Sequence, residues 1–202
     1  GEEPVYTVSE SFAAAFTRTE CGLQQTENWP VESTDSVTRA TLEQGGNTLT
    51  VDVSEDADGN KTYTASDTAR TETPDTAAAQ AFISSAATLY FSSSADFKPT
   101  DEALAAYGLA EPSATLTVEW TRTDDASGAQ ESVTSVLYLG AVDANGDYYA
   151  RLADSNAVST LNATALSGVL GMTLDGMLPT EEESAPESAP ASESGSVSAA
   201  SA

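Results

Sequence analysis

The sequence predicts an α+β protein in which antiparallel β-meanders are each followed by a helix. Two observations predict this class. Short runs with alternating apolar and polar residues recur between Gly- and Asp-containing turns, and helical apolar spacing follows each set of runs. Because strands are grouped before each helix and do not alternate with helices, the pattern indicates antiparallel sheets and not a doubly wound fold.

A first β-meander-plus-helix unit is predicted over residues 37–98. Leu49, Val51 and Val53 alternate with polar residues, so this strand has one apolar face. Gly- and Asn-containing turns are predicted on either side of it, at 45–47 and 56–60. Pro74-Asp75 opens a helix. Its apolar stripe is expected to lie in the core and comprises Ala79, Phe82, Ile83, Ala86, Leu89 and Tyr90.

A second unit with the same plan is predicted over residues 99–178. It begins with a short helix over Pro99–Ala106, which Gly108 ends in a left-handed conformation. Strands follow at 115–120, 133–139, where Gly140 ends the strand, 148–152 and 157–161. Asn162 can cap a final helix. Its inward residues are predicted to be Leu166, Val169 and Leu170, with Gly171 beyond its end.

Matching turns suggest that the two units are an internal duplication. The turns 56–60 and 143–147 have similar sequences, and each follows a hairpin and precedes a strand and then a helix. The pattern leaves open whether both units share one sheet.

Residues 1–36 are predicted to be an irregular segment that packs on the core, with a strand at Val5–Val8 and helical residues at Phe12–Phe16. Residues 179–202, rich in Ser, Ala, Glu and Pro, are predicted to be a disordered acidic tail.

Composition excludes several classes of function. The chain has no histidine, which excludes Ser-His-Asp and Cys-His catalysis within it, and its one cysteine excludes an internal disulfide and a cysteine-rich zinc site. A net charge of −25 repels phosphate backbones, so nucleic-acid binding is not expected. No apolar run is long enough to span a bilayer. Either the protein is cytosolic or an export segment has been removed from its N-terminus, and the Thr- and Ser-rich, Lys-poor composition favours export.

The acidic turns are weak candidates for a metal site. With Gly59 or Gly146 at the sixth position of an EF-hand loop, the twelfth position is Ala65 or Leu152, so the bidentate glutamate is missing in both. Asp-Gly and Asn-Gly are also the ordinary chemistry of hairpin turns. We therefore expect no metal and no cofactor. The weak candidate ligands are Asp56, Asp58, Asp143, Asn145 and Asp147.

Two other kinds of site can be built from these residues. A glycosidase needs only a pair of carboxylates roughly 5 to 10 Å apart, and acids occur at 124–125, Asp143 and Asp147. No motif supports such a pair. An aromatic platform could use Tyr148 or Tyr149 with Tyr138 and Trp120, but adjacent strand residues point to opposite faces, which favours packing.

One motif of the second unit resembles a known family. The order is a Tyr-Gly-Leu segment, a proline, a strand, a second strand that ends in glycine, and an aromatic pair. It resembles the domain of unknown function 4340 family over roughly residues 100–170. The motif residues, expected to be structural, are Tyr107, Gly108, Leu109, Pro112, Gly140, Tyr148 and Tyr149. The resemblance implies a bacterial envelope or extracellular protein, often anchored at its N-terminus, and implies no catalytic residues.

These observations predict a non-enzymatic binding or assembly module, extracellular or in the cell envelope. Its partner is expected to be a protein or another envelope component. The resemblance also allows an auxiliary subunit of an envelope ABC transport system, since some members of the family are similar to such components. A carboxylate- or metal-dependent hydrolase of surface glycans is the remaining alternative.

Overall fold

The computed structural model describes residues 26–179 of the 202-residue chain. The strand and helix predicted at Val5–Val8 and Phe12–Phe16, Cys21 and nearly all of the predicted tail lie outside these residues. The described strands are β1 Val37–Gln44, β2 Asn47–Glu55, β3 Lys61–Ser66, β4 Thr71–Glu72, β5 Ser93–Asp96, β6 Ala114–Thr123, β7 Gln130–Val142, β8 Tyr148–Leu152 and β9 Val158–Leu161. The described helices are α1 Thr76–Ala87, α2 Asp101–Ala106 and α3 Ala163–Leu166, with 3₁₀ turns at Thr34–Ser36 and Asp175–Met177.

All nine strands form one antiparallel sheet in the order β4-β3-β2-β1-β6-β7-β8-β9-β5. The first strands of the two meanders, β1 and β6, pair at the centre, with Leu42 opposite Leu116 and Thr41 opposite Thr117. Each meander then runs outward from this pair. The two predicted units therefore share a single sheet, and the α+β class is confirmed in its general form.

β5 crosses from one meander to the other. It follows α1 in the chain, yet it pairs with β9 at the far edge of the sheet, with Ser93 opposite Thr160. The connection after α1 therefore carries the chain across the sheet before the second meander begins. α1 has 12 residues and α3 has 4, and the internal duplication remains a prediction.

One face of the sheet carries the core, as the alternation in the sequence predicts. The buried strand residues on this face include Leu42, Val51, Val118 and Leu137, which are at most 2% exposed. Phe82 of α1 and Met177 of the second 3₁₀ turn are fully buried in the same cluster. Burial of a side chain such as Phe82 removes enough apolar surface from water to contribute roughly 1.5–3 kcal/mol.

α1 begins where the sequence predicts and ends earlier. Asp75 is the N-cap, and its Oδ1 accepts a hydrogen bond from the Ala78 N–H at 2.9 Å. The helix ends at Ala87, and the Thr88 N–H and hydroxyl both donate to the Ser84 carbonyl. The predicted stripe is therefore wrong at Tyr90, which lies beyond the helix and is 61% exposed. Leu89 also lies beyond the helix but is buried.

β7 is longer than its sequence pattern predicts. Gly140 does not end the strand, which continues to Val142 through an irregularity in its pairing with β8 between Leu139 and Val142. A bulge inserts residues that the alternation pattern cannot show, and it bends the strand locally. This bend occurs at the point where the motif of the second unit packs.

Residues 26–36 of the predicted N-terminal segment are described, and two of them lie in the core. Trp29 and Val31 are each 8% exposed and belong to the core cluster. The Glu27 carboxylate accepts a hydrogen bond from the Ser155 hydroxyl in the β8–β9 connection. Within residues 26–179, no helix has both the length and the apolar character needed to cross a membrane.

Candidate functional site

The two acidic turns have the same hydrogen-bonding pattern. Asp56 Oδ1 accepts from the backbone N–H groups of Asp58 and Asn60, at 2.9 and 2.8 Å. Asp143 Oδ1 accepts from Asn145 and Asp147, at 2.8 and 2.9 Å. The aspartate side chain thus replaces a backbone acceptor and holds the turn, as Asx turns do. These N–H donors lower the pKa of both carboxyls, led by Asn60 for Asp56 and by Asp147 for Asp143.

The candidate metal ligands do not come together. The turn at 56–60 joins β2 to β3, and the turn at 143–147 joins β7 to β8. The register places them at opposite ends of the strands and on opposite sides of the central β1–β6 pair. Within residues 26–179, no group of three or more acidic, histidine or cysteine side chains is arranged to hold a metal. In the second turn, Asp147 Oδ1 instead accepts from the Asn162 amide at 2.9 Å.

The acids available for a glycosidase pair lie in two turns, and no pair forms between these turns. Asp143 and Asp147 share one turn, where the Asp143 carboxylate accepts from backbone N–H groups and Asp147 accepts from Asn162. Asp124 and Asp125 precede β7, whereas Asp143 and Asp147 follow it. β7 has 13 residues, so these acids lie at opposite ends of a strand roughly 40 Å long. This distance exceeds the 5 to 10 Å or so required across a glycosidic bond. The Asp124 side chain caps its own turn by accepting from the Ser127 N–H at 2.7 Å.

The Tyr-Gly-Leu motif makes a close backbone contact with β7. The Ala141 N–H donates to the Tyr107 carbonyl at 2.8 Å, which brings the end of α2 onto the bulge of β7. A Cβ atom on Gly140 would lie 2.2 Å from that carbonyl oxygen. Gly108 has a φ of +70° and its Cβ would lie 2.7 Å from the Ala141 nitrogen. Both glycines are therefore required by the packing of α2 on β7.

The aromatic residues of the second unit serve packing at different places. The Tyr107 and Tyr149 rings lie 4.6 Å apart between centroids, at 45°. Trp120 is buried in the core, and its Nε1 donates to the Ser135 hydroxyl at 3.0 Å. Tyr138 lies beneath the Arg151 guanidinium, whose central carbon is 5.5 Å from the ring centroid. Trp120, Tyr138 and Tyr149 therefore do not form one platform.

A cleft of about 490 Å³ lies at the end of the β1–β2 hairpin. Three parts of the chain form its walls: the hairpin from Leu42 to Leu49, the β3–β4 turn at Asp67 and Thr68, and residues 171–175. The Gln44 side chain ties the hairpin to the third wall by accepting from the Gly171 N–H at 2.9 Å. An ion pair between Arg70 and Asp175 ties the second wall to the third. We call this the hairpin cleft.

The hairpin cleft combines an apolar floor with a polar rim. Leu42, Leu49 and Leu174 are buried residues of the core that form part of the lining. The rim includes the side chains of Asn47, Thr48 and Thr68. A volume of this size, bounded by both polar and apolar residues, is large enough for a small molecule or a short segment of a partner.

The carboxylates of the hairpin cleft are engaged in holding its walls. Asp67 Oδ1 accepts from the backbone N–H groups of Ala69 and Arg70, at 2.7 and 2.8 Å. These hydrogen bonds lower the pKa of Asp67, with Ala69 the largest cause. Asp175 binds the Arg70 guanidinium. An ionised carboxylate held in this way suits binding better than proton donation.

No pattern in the sequence predicts the hairpin cleft. Its walls come from three segments that are far apart in the chain, and none of them carries a recognisable motif. The turn residues Gly45 and Asn47 were identified only as turn chemistry. Asp67 also starts a turn, but nothing in the local pattern places it beside residues 171–175.

Comparison with known families gives one finding. Residues 73–177, just over half of the chain, match the family model described as Domain of unknown function (DUF4340). This segment includes α1 and extends into the second 3₁₀ turn, and it contains every residue of the Tyr-Gly-Leu motif. No curated protein and no solved structure gives a significant match. Because this match covers more than half of its residues, the chain belongs to the family of the domain of unknown function 4340.

Proposed function

We propose that this chain is a non-enzymatic binding or assembly module that works in the cell envelope or outside the cell. The observation that carries the proposal is the hairpin cleft, in which an apolar floor is open to a partner while the acidic side chains hold the walls. Its volume of about 490 Å³ suits a small polar molecule or a few residues of another protein.

The extracellular or envelope location rests on composition and on the family resemblance. The Thr- and Ser-rich, Lys-poor composition favours export, and the excess of 32 acidic over 7 basic residues disfavours a nucleic-acid partner. The family resemblance implies an envelope or extracellular protein and supports the same location. The resemblance also supports an auxiliary subunit of an envelope ABC transport system, and the identity of the partner distinguishes the two.

Site-specific photocrosslinking in cells that produce the full chain tests the proposal. A photoreactive phenylalanine derivative replaces Thr68 on the rim of the hairpin cleft. The control replaces Ala126, which is exposed in the turn between β6 and β7 at the opposite end of the sheet. We expect one discrete adduct from Thr68 and none from Ala126, with an envelope or secreted partner. A transporter subunit in the adduct would favour the alternative, whereas a cytoplasmic partner or equal adducts from both positions would contradict the proposal.

A screen of glycan and ester hydrolysis tests the absence of catalysis. We expect no turnover above that of a buffer control. The proposal would be wrong if the chain hydrolysed a substrate and lost that activity in Asp67→Asn or Asp143→Asn. Both substitutions preserve side-chain shape, so a loss would point to the carboxylate itself and not to an altered loop.

A further inference from the structure

Four of the six residues of β3, residues 61–64, have no partner strand on the outer side within the described part of the chain. On that side β4 pairs only with Ala65 and Ser66, which lie opposite Glu72 and Thr71. The Asp56 N–H donates to the Asn60 carbonyl, so Asp56 and Asn60 form a hydrogen-bonded pair. Hydrogen-bonded and non-hydrogen-bonded pairs alternate along an antiparallel ladder. Glu55–Lys61 and Val53–Tyr63 are therefore non-hydrogen-bonded pairs of β2 and β3. At these pairs the backbone N–H and C=O point away from β2. Lys61 and Tyr63 therefore direct theirs outward, where none of residues 26–179 pairs with them.

A groove with a mixed lining runs beside this edge on the core face of the sheet, and the ion pair between Lys61 and Asp35 forms part of its wall. Its volume is about 250 Å³, and its walls include Val53 and Tyr63 of the sheet and Ile83 of α1. Gln80 and Ser84 of α1 also line it. A strand added to β3 would direct alternate side chains to this face. The β3 edge therefore combines free backbone groups with a groove that can receive a side chain.

Lys61, the lysine on this edge strand, does not shield the edge because its side chain is bound to Asp35. A lysine on an edge strand normally discourages pairing because its charge projects from the edge. Here the Lys61 ammonium binds Asp35 at 2.8 Å and its side chain is 27% exposed. The cation is thus held against the 3₁₀ turn at Thr34–Ser36 and leaves the outward backbone groups accessible.

The charges near the β3 edge indicate what kind of strand fits. Glu55 and Asp56 lie at one end of the free edge. At the other end Glu72 lies 3.9 Å from Arg70, which also binds Asp175, so acids outnumber cations there as well. The whole chain carries −25, so a second copy would be repelled. We propose that the β3 edge binds an extended, cationic segment of another protein by strand addition, with one of its apolar side chains in the groove.

The test begins with a random nonapeptide library displayed on phage and selected on the full chain. We expect the selected peptides to alternate β-branched or aromatic residues with other residues and to carry Lys or Arg. Synthetic copies are then titrated calorimetrically. Raising the salt concentration from 50 to 500 mM should weaken binding, since opposite charges attract the partners. Selection of acidic peptides, or of peptides without alternation, would overturn the proposal.

Two substitutions separate the backbone contribution from the side-chain contribution. Tyr63→Pro removes the outward N–H and leaves the ladder with β2 intact, because proline is tolerated where the N–H faces outward from an edge strand. Tyr63→Ala removes the same side chain and keeps the N–H. We expect at least tenfold weaker binding for Y63P than for Y63A, with both folded by circular dichroism. Equal affinities of the two variants would overturn strand addition.

A further variant keeps the proposal testable if Y63P does not fold. Gln80 is exposed on α1 at the groove, so Gln80→Trp should obstruct the groove and weaken peptide binding while the fold is retained. Undiminished binding by Q80W would overturn the role of the groove.

Wild-type self-association that Y63P abolishes would assign the edge to a second copy. A gain in peptide affinity from V5D/V8D would assign it to the chain's own N-terminal residues. Either result overturns the proposal.

The β3 edge is separate from the hairpin cleft, so the two proposals fail independently. Y63P should leave the Thr68 adduct unchanged if the cleft binds a different partner. Absence of the Thr68 adduct from a chain whose peptide binding is unchanged would count against the hairpin cleft alone.

Discussion

Gly140 has no room for a Cβ atom, because the Tyr107 carbonyl oxygen lies 2.2 Å from where that atom would be. Backbone atoms on both sides of the contact would have to shift. We expect Gly140→Ala to lower the free energy of unfolding by about 1–3 kcal/mol, the usual range for overpacking. Urea unfolding followed by circular dichroism measures this change.

Gly176→Ala is the matched control for this substitution. A Cβ atom on Gly176 would lie 3.4 Å from the Thr173 hydroxyl oxygen, an ordinary contact distance. We expect its free energy of unfolding to stay within about 0.5 kcal/mol of the wild type. Equal effects of G140A and G176A would show that the α2–β7 contact is not tight.

The turn aspartates make stability depend on acidic pH. Backbone N–H groups lower the folded-state pKa of Asp56, Asp67 and Asp143 below the usual value near 3.8. A lowered folded-state pKa contributes stability above the unfolded-state pKa and loses it as pH falls through the folded-state pKa. We therefore expect stability to decrease below about pH 4–5. No histidine contributes a change between pH 6 and 8.

Urea unfolding at a series of pH values checks this dependence. Asp143→Asn keeps the acceptor oxygen but removes the ionisation, so its profile should be shallower than that of the wild type below pH 4. Asp125→Asn is the control, because Asp125 is exposed in the turn between β6 and β7, at the other end of β7 from Asp143. A loss of stability centred between pH 6 and 7 would contradict the assignment to these carboxylates.

At the scale of elements, the acidic turns are built to connect strands. In each, the first aspartate already accepts two backbone N–H groups, which leaves few free oxygens for a cation. We expect the melting temperature to respond equally to calcium and to magnesium at matched ionic strength. A rise with calcium alone, lost in Asp56→Asn or Asp143→Asn, would show a specific site in that turn.

The elements that could be predicted are those with local signals. Asp75 and Asn162 cap α1 and α3 as expected, since their side chains accept from N–H groups two or three residues ahead. β4 and β5 were not predicted. β4 has 2 residues and β5 reads Ser-Ser-Ala-Asp, so neither has an apolar alternation to detect. They are strands because a neighbouring strand offers them hydrogen bonds.

At the scale of the whole molecule, the central β1–β6 pair joins the two meanders into one body. Leu42 of β1 pairs with Leu116 of β6, and both are buried in a core shared with Phe82. We expect a single unfolding transition in urea, with coincident midpoints from tryptophan fluorescence and far-ultraviolet circular dichroism. Two separated midpoints would show that the meanders unfold independently.

The sequence by itself determined the strand faces, the turns, the helix caps and the Tyr-Gly-Leu motif. Each depends on alternation, on positive φ at glycine or on hydrogen bonds within a few residues, so a short segment contains the whole signal. Only the tertiary structure decided that both meanders share one sheet, that β5 lies beside β9, and that the hairpin cleft and the β3 edge exist. These features join segments up to 127 residues apart, and their energy comes from pairing and burial between segments, which no local pattern encodes.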